Sequence, residues 1–472
     1  MRRPSIAIAV SSALLAAGCT AVTPSPVRTD PPRVVPTSPA PDSAGLSAPV
    51  ADPIYPNRGN PGIDVLRYRL DLAWSPTTRT LTGTATLTLR AVRALDAVAL
   101  DFSAAYALDR VTLDGAPRTG TLAADKLTVP GTLAADQRAT LVVRYRGTPV
   151  TTPMPSHRAD SGPLGLTIAS DGALWTMQEP YGAFTWYPAN DTPSDKALYD
   201  IAVTVPPGWA GVASGTPLPV EGDTYRYTSA DPVASYLTTL AVGKFQKTTG
   251  TGPGGLPMTY WTPTGDAERL PFLQRSPTLI AWLEQRLGPY PFPTAGVVLV
   301  ESRSGMETQQ MVTLGARTPI AALEGVLLHE YAHHWFGNSV TPTTWQHVWL
   351  NEGWATYLQR VWEAERSHTD IAGWAKDTRA RDQELRTLAG PPGNPKPGNF
   401  AEGNVYMCPA LLLHEIRKLV GDEAFWALAR DWTGQHRNTN QDRASFTAFV
   451  NRHTGRDLTA LIDKWLDSPT TP

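Results

Sequence analysis

The 472-residue sequence contains only two cysteines, Cys19 and Cys408, and it has no large excess of charge of either sign. Two cysteines cannot build a disulfide framework. Lysine and arginine total 41 and aspartate and glutamate total 43, so the formal net charge of −2 gives no global attraction to nucleic acid or acidic lipid. Structural repeats are also absent from the sequence. The function therefore has to be inferred from local motifs.

Long hydrophobic runs are scarce as well, and the run near the amino terminus is short. Residues 6–17 are mainly apolar, come shortly after Arg2 and Arg3, and end in two alanines that are followed by Gly18 and Cys19. Such a run is too short to cross a bilayer, and the pattern is typical of a bacterial lipoprotein signal peptide over residues 1–18 with lipidation at Cys19. The alternative is an ordinary secretory signal peptide cleaved near Ala17. We therefore expect a protein on the extracytoplasmic face of a membrane, held there by the lipid, or else a secreted protein.

Composition and periodicity divide the rest of the chain into a tether and two domains. Residues 19–60 are rich in Pro, Ser, Thr and Ala, which predicts an extended, disordered tether. Residues 61–248 contain strongly alternating segments such as 81–89, which predict an N-terminal antiparallel β-sandwich domain. Helical periodicity predominates in residues 249–472, so the predicted fold class is α+β multidomain. Helices are predicted at residues 277–287, 325–337, 422–432 and 458–466.

A His-Glu-x-x-His motif in the second domain predicts a metal site. His329 and His333 are four residues apart, so they lie on the same side of a helix and can bind one metal ion. Glu352, on a second predicted helix, would complete a two-His-one-Glu zinc site with an open position for water. Glu330 would be the general base rather than a ligand. The alternative is a buried helix whose histidines have ordinary hydrogen-bond partners.

The segments 329–338 (HEYAHHWFGN) and 349–357 (WLNEGWATY) resemble the aminopeptidase N family of gluzincin metallopeptidases. The resemblance extends over about residues 64–465. It implies a β-domain followed by a mainly helical, thermolysin-like catalytic domain with one Zn²⁺ per chain. It also implies removal of N-terminal residues from peptides, by attack of a metal-activated water on substrates that have a free N-terminus.

The resemblance also implies which residues contact the substrate. In the segment 304–308 (SGMET), Gly305 and Met306 would hold the substrate backbone and Glu307 would bind its α-amine. In residues 176–197, Glu179 corresponds to a second acidic residue that contacts the amine. Two carboxylates on one ammonium would fix the chain end at a set distance from the metal, which is a physical reason for exopeptidase action.

Tyr406 lies in a segment that resembles the one carrying the family's transition-state tyrosine, whose hydroxyl donates to the developing oxyanion. His414 is expected to be structural, His334 to support the ligands or to be solvated, and Cys408 to be a small packed residue. The sequence departs from the family at Met177, where Gln is frequent and Gln178 is a possible substitute. Further departures are Ser304, Thr308, His347 and the segment 407–409 (MCP).

Many family members carry a large helical domain after the catalytic domain, and because only 66 residues follow Tyr406 here, we expect this protein to lack it. We expect a more open site that admits long peptides. Two alternatives to an aminopeptidase remain at this point. One is another hydrolytic activity, either epoxide hydrolysis, as in the family's leukotriene hydrolase, or endopeptidase activity. The other is a lipid-anchored zinc-binding or peptide-binding protein without catalysis.

Overall fold

The computed structural model describes residues 40–160 and 162–472. The signal peptide, Cys19 and residues 20–39 of the predicted tether lie outside these residues. Within the described part of the chain, no helix has both the length and the apolar character needed to cross a bilayer.

The first half of the described chain is built almost entirely of β-strands, because its apolar side chains alternate with polar ones. In β2, for example, the side chains of Leu81, Ala85, Leu87 and Leu89 are buried and those between them are less so. The strands are β1 (Ile63–Ser75), β2 (Thr80–Ala91), β3 (Leu95–Asp101), β4 (Tyr106–Leu113), β5 (Ala116–Pro117), β6 (Thr121–Ala123), β7 (Lys126–Leu133), β8 (Arg138–Gly147), β9 (Gly165–Ile168), β10 (Leu174–Met177), β11 (Lys196–Thr204), β12 (Ala210–Ala213), β13 (Thr216–Pro217), β14 (Thr224–Thr228), β15 (Val233–Ala234) and β16 (Leu240–Gly243).

These strands form three sheets with mainly antiparallel neighbours. The large sheet has the order β13-β14-β11-β1-β2-β8-β4-β5, with β15 also paired to β11; the others are β12-β16-β10-β9 and β3-β7-β6. One pair, β1 with β11, is parallel, since the chain passes through β2 to β10 before it returns beside β1. The multi-sheet β-domain is confirmed, and the parallel pair is the exception to its predicted antiparallel pairing.

The second half combines a five-stranded sheet with helices. The strands of this sheet are β17 (Phe245–Thr251), β18 (Pro257–Pro263), β19 (Ala295–Val300), β20 (Gly305–Met306) and β21 (Val312–Gly315). Two further strands, β22 (Val340–Pro342) and β23 (Thr439–Gln441), pair with each other. The helices of this half are α1 (Leu270–Leu273), α2 (Ser276–Leu287), α3 (Leu323–His333), α4 (Trp349–Arg366), α5 (Ile371–Ala389), α6 (Gly403–Val420), α7 (Asp422–Gln435), α8 (Arg443–Thr454) and α9 (Thr459–Asp467).

The five-stranded sheet has the order β17-β18-β19-β21-β20, so β20 is an edge strand. The strand β17 spans the predicted domain boundary at residue 248 and pairs with β18. The chain therefore passes from the sheets of the β-domain to the five-stranded sheet between β16 and β17. The predicted helices at 277–287, 422–432 and 458–466 correspond to α2, α7 and α9. The motif helix α3 ends at His333, earlier than predicted, because the chain turns at Gly337, whose φ is +133°.

The predicted tether is wrong for residues 40–60, which pack on both halves of the protein. The Asp52 carboxylate is buried and accepts the main-chain N–H of Trp345 at 2.6 Å. Ile54 belongs to the apolar core of the β-domain, and the Tyr55 hydroxyl donates to the Pro397 carbonyl at 2.9 Å. The composition of the segment resembles that of a linker, but these few side chains supply enough apolar burial and hydrogen bonding to order it.

The two halves share a packed interface. Val212 in β12 and Ala241 in β16 belong to the same apolar cluster as Trp261 in β18 and Val298 in β19. The buried Lys196 ammonium of β11 donates across the interface to the carbonyl of Asn338, at 2.8 Å, just after α3. The β-domain is therefore fixed against the helix that carries the His-Glu-x-x-His motif.

Candidate active site

The three predicted metal ligands converge on one point between α3 and α4. The Nε2 atoms of His329 and His333 are 3.1 Å apart, and the Glu352 Oε2 lies 3.2 Å from the first and 3.3 Å from the second. In the described residues these three form the one group of His, Cys, Asp or Glu side chains with metal-site geometry. Both helices are held by buried apolar residues, including Leu328 and Trp354.

The geometry of this donor set fits zinc. His333 Nδ1 lies 3.2 Å from the Phe336 carbonyl, which accepts a hydrogen bond only if that nitrogen carries the proton, so Nε2 presents its lone pair to the cluster. Tetrahedral zinc with bonds of about 2.0–2.1 Å separates its ligand atoms by about 3.3 Å, close to the edges of the triangle seen here. Three acceptors at this spacing need a cation between them, and a two-His-one-Glu set is a known catalytic zinc site.

Glu330 is buried beside the ligands, in contact with the edge strand β20. A Cβ atom added to Gly305 would lie 2.3 Å from the Glu330 Oε1, so the absence of a side chain at residue 305 leaves room for this carboxylate. Burial raises the pKa of Glu330 above its ordinary value. A carboxylate with a raised pKa in this position can accept and return a proton near neutral pH.

Glu179 and Glu307 line the same cavity, one from the β-domain and one from the end of β20. Among the residues that the structure describes, neither side chain has a hydrogen-bond partner for its buried Oε1. Burial first and repulsion from Glu307 second raise the pKa of Glu179, and burial also raises that of Glu307. Two buried carboxylates with unpartnered oxygens are costly to maintain unless a cation binds to them.

Tyr406 is carried by α6 and lies beside the metal ligands, with its ring stacked on that of His329 at a centroid distance of 6.0 Å. Burial raises the pKa of Tyr406 above its ordinary value, so the hydroxyl remains protonated and can donate. Its oxygen accepts a hydrogen bond of 2.9 Å from the Arg158 guanidinium. No motif or periodicity marks Arg158 in the sequence, because it lies in the irregular connection between β8 and β9.

The structure also locates the departures from the family pattern. Gln178 is not a substitute for the residue at Met177, because its amide points into the β-domain core, where it donates to the Thr238 carbonyl at 2.7 Å. The Thr308 hydroxyl is buried 2.9 Å from that of Thr313, and Ser304 lines the cavity beside β20.

The remaining departures and the two further histidines lie outside the ligand cluster. α6 continues through Pro409, which packs so closely on Gly353 of α4 that a Cβ there would lie 2.8 Å from the proline side chain. His347 is near Asp442 and outside the ligand cluster. His334 is fully buried rather than solvated, with its Nδ1 2.6 Å from the Tyr290 hydroxyl, and His414 lies 3.2 Å from that of Tyr357.

A cavity of about 480 Å³ connects the reactive groups, which are Arg158, Glu179, Glu307, His329, Glu330, His333, Glu352 and Tyr406. Both halves of the protein contribute to its walls, and its size is in the range of small-molecule and short-peptide sites. The residues around the reactive groups are Met154, Arg158, Trp175, Met177, Glu179, Ser304, Gly305, Met306, Glu307, Val326, His329, Glu330, His333, Glu352, Arg360 and Tyr406.

Comparison with known proteins supports the assignment of the second half. Residues 273–465 match the Peptidase family M1 domain. Leucine aminopeptidase 2-1 of Meyerozyma guilliermondii is 30% identical over 291 residues, which are 54% of this chain and 45% of the relative. Leucine aminopeptidase 2 of Neurospora crassa is 33% identical over 206 residues, 40% of this chain and 29% of the relative. The chain thus spans less than half the length of these relatives.

Solved structures extend the similarity to both halves of the protein. The M1 zinc metallopeptidase from Deinococcus radiodurans aligns with a TM-score of 0.77 at 28% identity, over 90% of this chain and 98% of that one. Native leukotriene A4 hydrolase of yeast aligns with a TM-score of 0.71 at 22% identity, over 87% of this chain and 69% of the other, which shows a shared fold alone. These matches confirm the resemblance found in the sequence: residues 273–465 match the domain of peptidase family M1, and an M1 zinc metallopeptidase shares the two-part fold.

Proposed function

We propose that the protein is a zinc-dependent aminopeptidase. The observation that carries the proposal is the pair of buried carboxylates, Glu179 and Glu307, whose unpartnered oxygens share a cavity with the metal ligands. A peptide with a free N-terminus brings an ammonium that can satisfy both carboxylates, whereas an internal peptide bond brings no cation. The aminopeptidase names of several relatives and the Deinococcus structure solved with the peptide Tyr-Ser-Ala agree with this proposal.

The residue roles follow from the positions of the side chains. His329, His333 and Glu352 would hold Zn²⁺, which when bound lowers the pKa of water and polarises a carbonyl. Glu330 accepts the proton of the attacking water and returns it to the leaving amine. The phenol of Tyr406 donates to the oxyanion as negative charge develops there.

Substrate orientation depends on β20 as well as on the carboxylates. Gly305 and Met306 form an edge strand of the five-stranded sheet, so one side of their main chain can pair with an extended peptide. Main-chain pairing would align the substrate, while Glu179 and Glu307 would fix the position of its N-terminal ammonium. Cleavage would then occur after the first residue, because that bond is the one placed beside Glu330.

The direct test is hydrolysis of a panel of fluorogenic aminoacyl amides by the soluble fragment from residue 40, with zinc, with a chelator and with N-acetylated controls. We expect release only from free amines, loss of release with the chelator and recovery on adding zinc. Preferential cleavage of blocked peptides would instead indicate an endopeptidase. No turnover by a folded, zinc-loaded protein would contradict the proposal and favour the binding-protein alternative.

We further propose that Cys19 is lipidated and attaches the enzyme to the extracytoplasmic face of a membrane. The sequence pattern of residues 1–19 supports this, with ordinary secretion as the alternative. Expression of the full chain and of Cys19→Ser in a bacterium, with a fatty-acid label, tests it. The wild-type chain should be labelled and sediment with membranes, and the variant should be unlabelled. Label in the variant would contradict the assignment of Cys19.

A further inference from the structure

The connection between β8 and β9 docks on the start of α6, the helix that carries the candidate oxyanion donor. The main-chain N–H of Phe400 donates to the Pro155 carbonyl at 2.7 Å. The Glu402 carboxylate accepts the Ser156 hydroxyl and the next main-chain N–H, each at 3.1 Å. Since Glu402 immediately precedes α6, these contacts fix the first turn of this helix relative to the β-domain.

Arg158 extends from this connection to the Tyr406 hydroxyl. Its Nη1 donates to the Tyr406 oxygen at 2.9 Å and to the Ala401 carbonyl at 3.0 Å. Its Nε and Nη2 donate to the two oxygens of Asp160 at 2.9 and 2.6 Å, and the guanidinium carbon lies 5.2 Å from the centre of the Tyr406 ring. The paired bonds to Asp160 hold the planar guanidinium in one orientation.

These contacts constrain the direction of the Tyr406 proton. Because the hydroxyl oxygen accepts from Arg158, its O–H is directed away from the guanidinium and toward the metal ligands, where it interacts with the Glu352 carboxylate. An acceptor bond from a cation also polarises the O–H and strengthens its own donation. A phenol arranged in this way before the reaction needs little reorganisation when the oxyanion forms.

We propose that Arg158 is a positioning residue for Tyr406, oriented by Asp160, and that it increases the stabilisation of the oxyanion by the phenol. This inference rests on the proposed aminopeptidase function. A competing role, direct binding of a substrate carboxylate, is less consistent with the contacts, because Nε, Nη1 and Nη2 of Arg158 all donate to Asp160, Ala401 or Tyr406.

A double-mutant cycle tests the proposal in the zinc-loaded full-length enzyme. Arg158→Ala should lower kcat on the order of 10- to 100-fold with KM changed less than about threefold, and Tyr406→Phe should lower kcat by more. In the double variant, the additional loss from Arg158→Ala should fall to about twofold or less, because Arg158 acts through the missing hydroxyl. An equal loss in both backgrounds, or an effect confined to KM, would overturn the proposal.

Three further variants make the result specific. Arg158→Lys keeps the charge but cannot pair in the same planar way with Asp160, so its kcat should lie between those of wild type and Arg158→Ala. Asp160→Asn should also lower kcat, but by less than Arg158→Ala does. Arg269→Ala is the matched control, because Arg269 also pairs with a carboxylate close in sequence, that of Asp266, its side chain is 20% exposed against 30% for Arg158, and it does not line the cavity. It should leave kcat within about threefold.

Added guanidinium ion at millimolar concentrations should raise the kcat of Arg158→Ala and leave that of Arg269→Ala and of Tyr406→Phe unchanged. Rescue of Tyr406→Phe by guanidinium would contradict the positioning role. The role would also be contradicted if guanidinium failed to rescue Arg158→Ala and Arg158→Lys kept an unaltered kcat. Activity of the wild-type enzyme on free and acetylated amines tests the proposed function separately, since the inference uses only ratios between variants. Zinc content and thermal unfolding of each variant identify any loss of kcat that comes from misfolding.

Discussion

Replacing Glu179 or Glu307 by glutamine should weaken recognition of the substrate amine and, at the same time, stabilise the free protein. Glutamine keeps the volume of the side chain and removes its charge. A hydrogen bond to a charged group contributes about 1.5–3 kcal/mol, so each variant should lose roughly 10- to 150-fold in kcat/KM for peptides with a free N-terminus. Burial raises the pKa of both carboxylates, and each repels other carboxylates of the site. Removing one charge relieves that repulsion, so the thermal midpoint should rise.

The assay compares kcat/KM for a free dipeptide amide with that for its N-acetylated form, and differential scanning fluorimetry gives the midpoint. Turnover of the acetylated substrate, which is slow in wild type, should change little in either variant. Glu301→Gln is the control, because Glu301 lines the same cavity but is 56% exposed and pairs with Arg317. The reasoning is refuted if Glu307→Gln retains the full preference for the free amine, or if the free and acetylated substrates lose rate equally.

Four more outcomes follow from the structure. Glu330→Gln should bind zinc in the wild-type amount, measured by metal analysis, and lose at least about 10²-fold in kcat, because the general base is gone; full activity would contradict its role. Tyr406→Phe should lower kcat by about 10²–10³-fold in steady-state assays, and a change in KM alone would argue against an oxyanion donor. Asp52→Ala should lower the free energy of unfolding in urea by about 1–3 kcal/mol, since the buried main-chain N–H of Trp345 loses its acceptor; an unchanged midpoint would mean that residues 40–60 do not stabilise the fold. Burial lowers the pKa of Lys196 to about 7. Between that pH and about pH 10 the lysine is protonated in the unfolded chain but not in the folded protein, so the free energy of unfolding should rise by up to about 1.4 kcal/mol per pH unit. The variant Lys196→Met should lack this part of the pH dependence.

The metal site was predictable because its geometry is local. Two histidines four residues apart share a helix face whatever the rest of the chain does, and the spacing of eighteen residues between His333 and Glu352 pointed to the third ligand on a second helix. The alternation in β2 and β8 likewise predicted strands with one buried face. These inferences need only the pattern of neighbouring residues.

The parts that were missed depend on contacts between distant segments. The parallel pairing of β1 with β11 joins strands more than a hundred residues apart, and no alternation pattern specifies it. Residues 40–60 have the composition of a linker, and a few contacts such as Asp52 with Trp345 order them. Arg158 meets Tyr406 across 248 positions of sequence. Composition and periodicity average over such single contacts, so they could not reveal them.

The residues of the active site come from both halves of the protein, so some parts of the site depend on the interface between the halves and others do not. The ligands of α3 and α4 come from the second half alone, whereas Glu179 and Arg158 come from the β-domain and act on groups of the second half. The metal can therefore keep its geometry while the β-domain shifts, but amine binding and the orientation of Tyr406 cannot. The apolar cluster of β12, β16, β18 and β19, the Lys196 contact after α3 and the docking of the β8–β9 connection on α6 all oppose such a shift. Loosening this interface should thus reduce turnover before it reduces zinc binding, because the interface positions the substrate and the oxyanion donor rather than the metal.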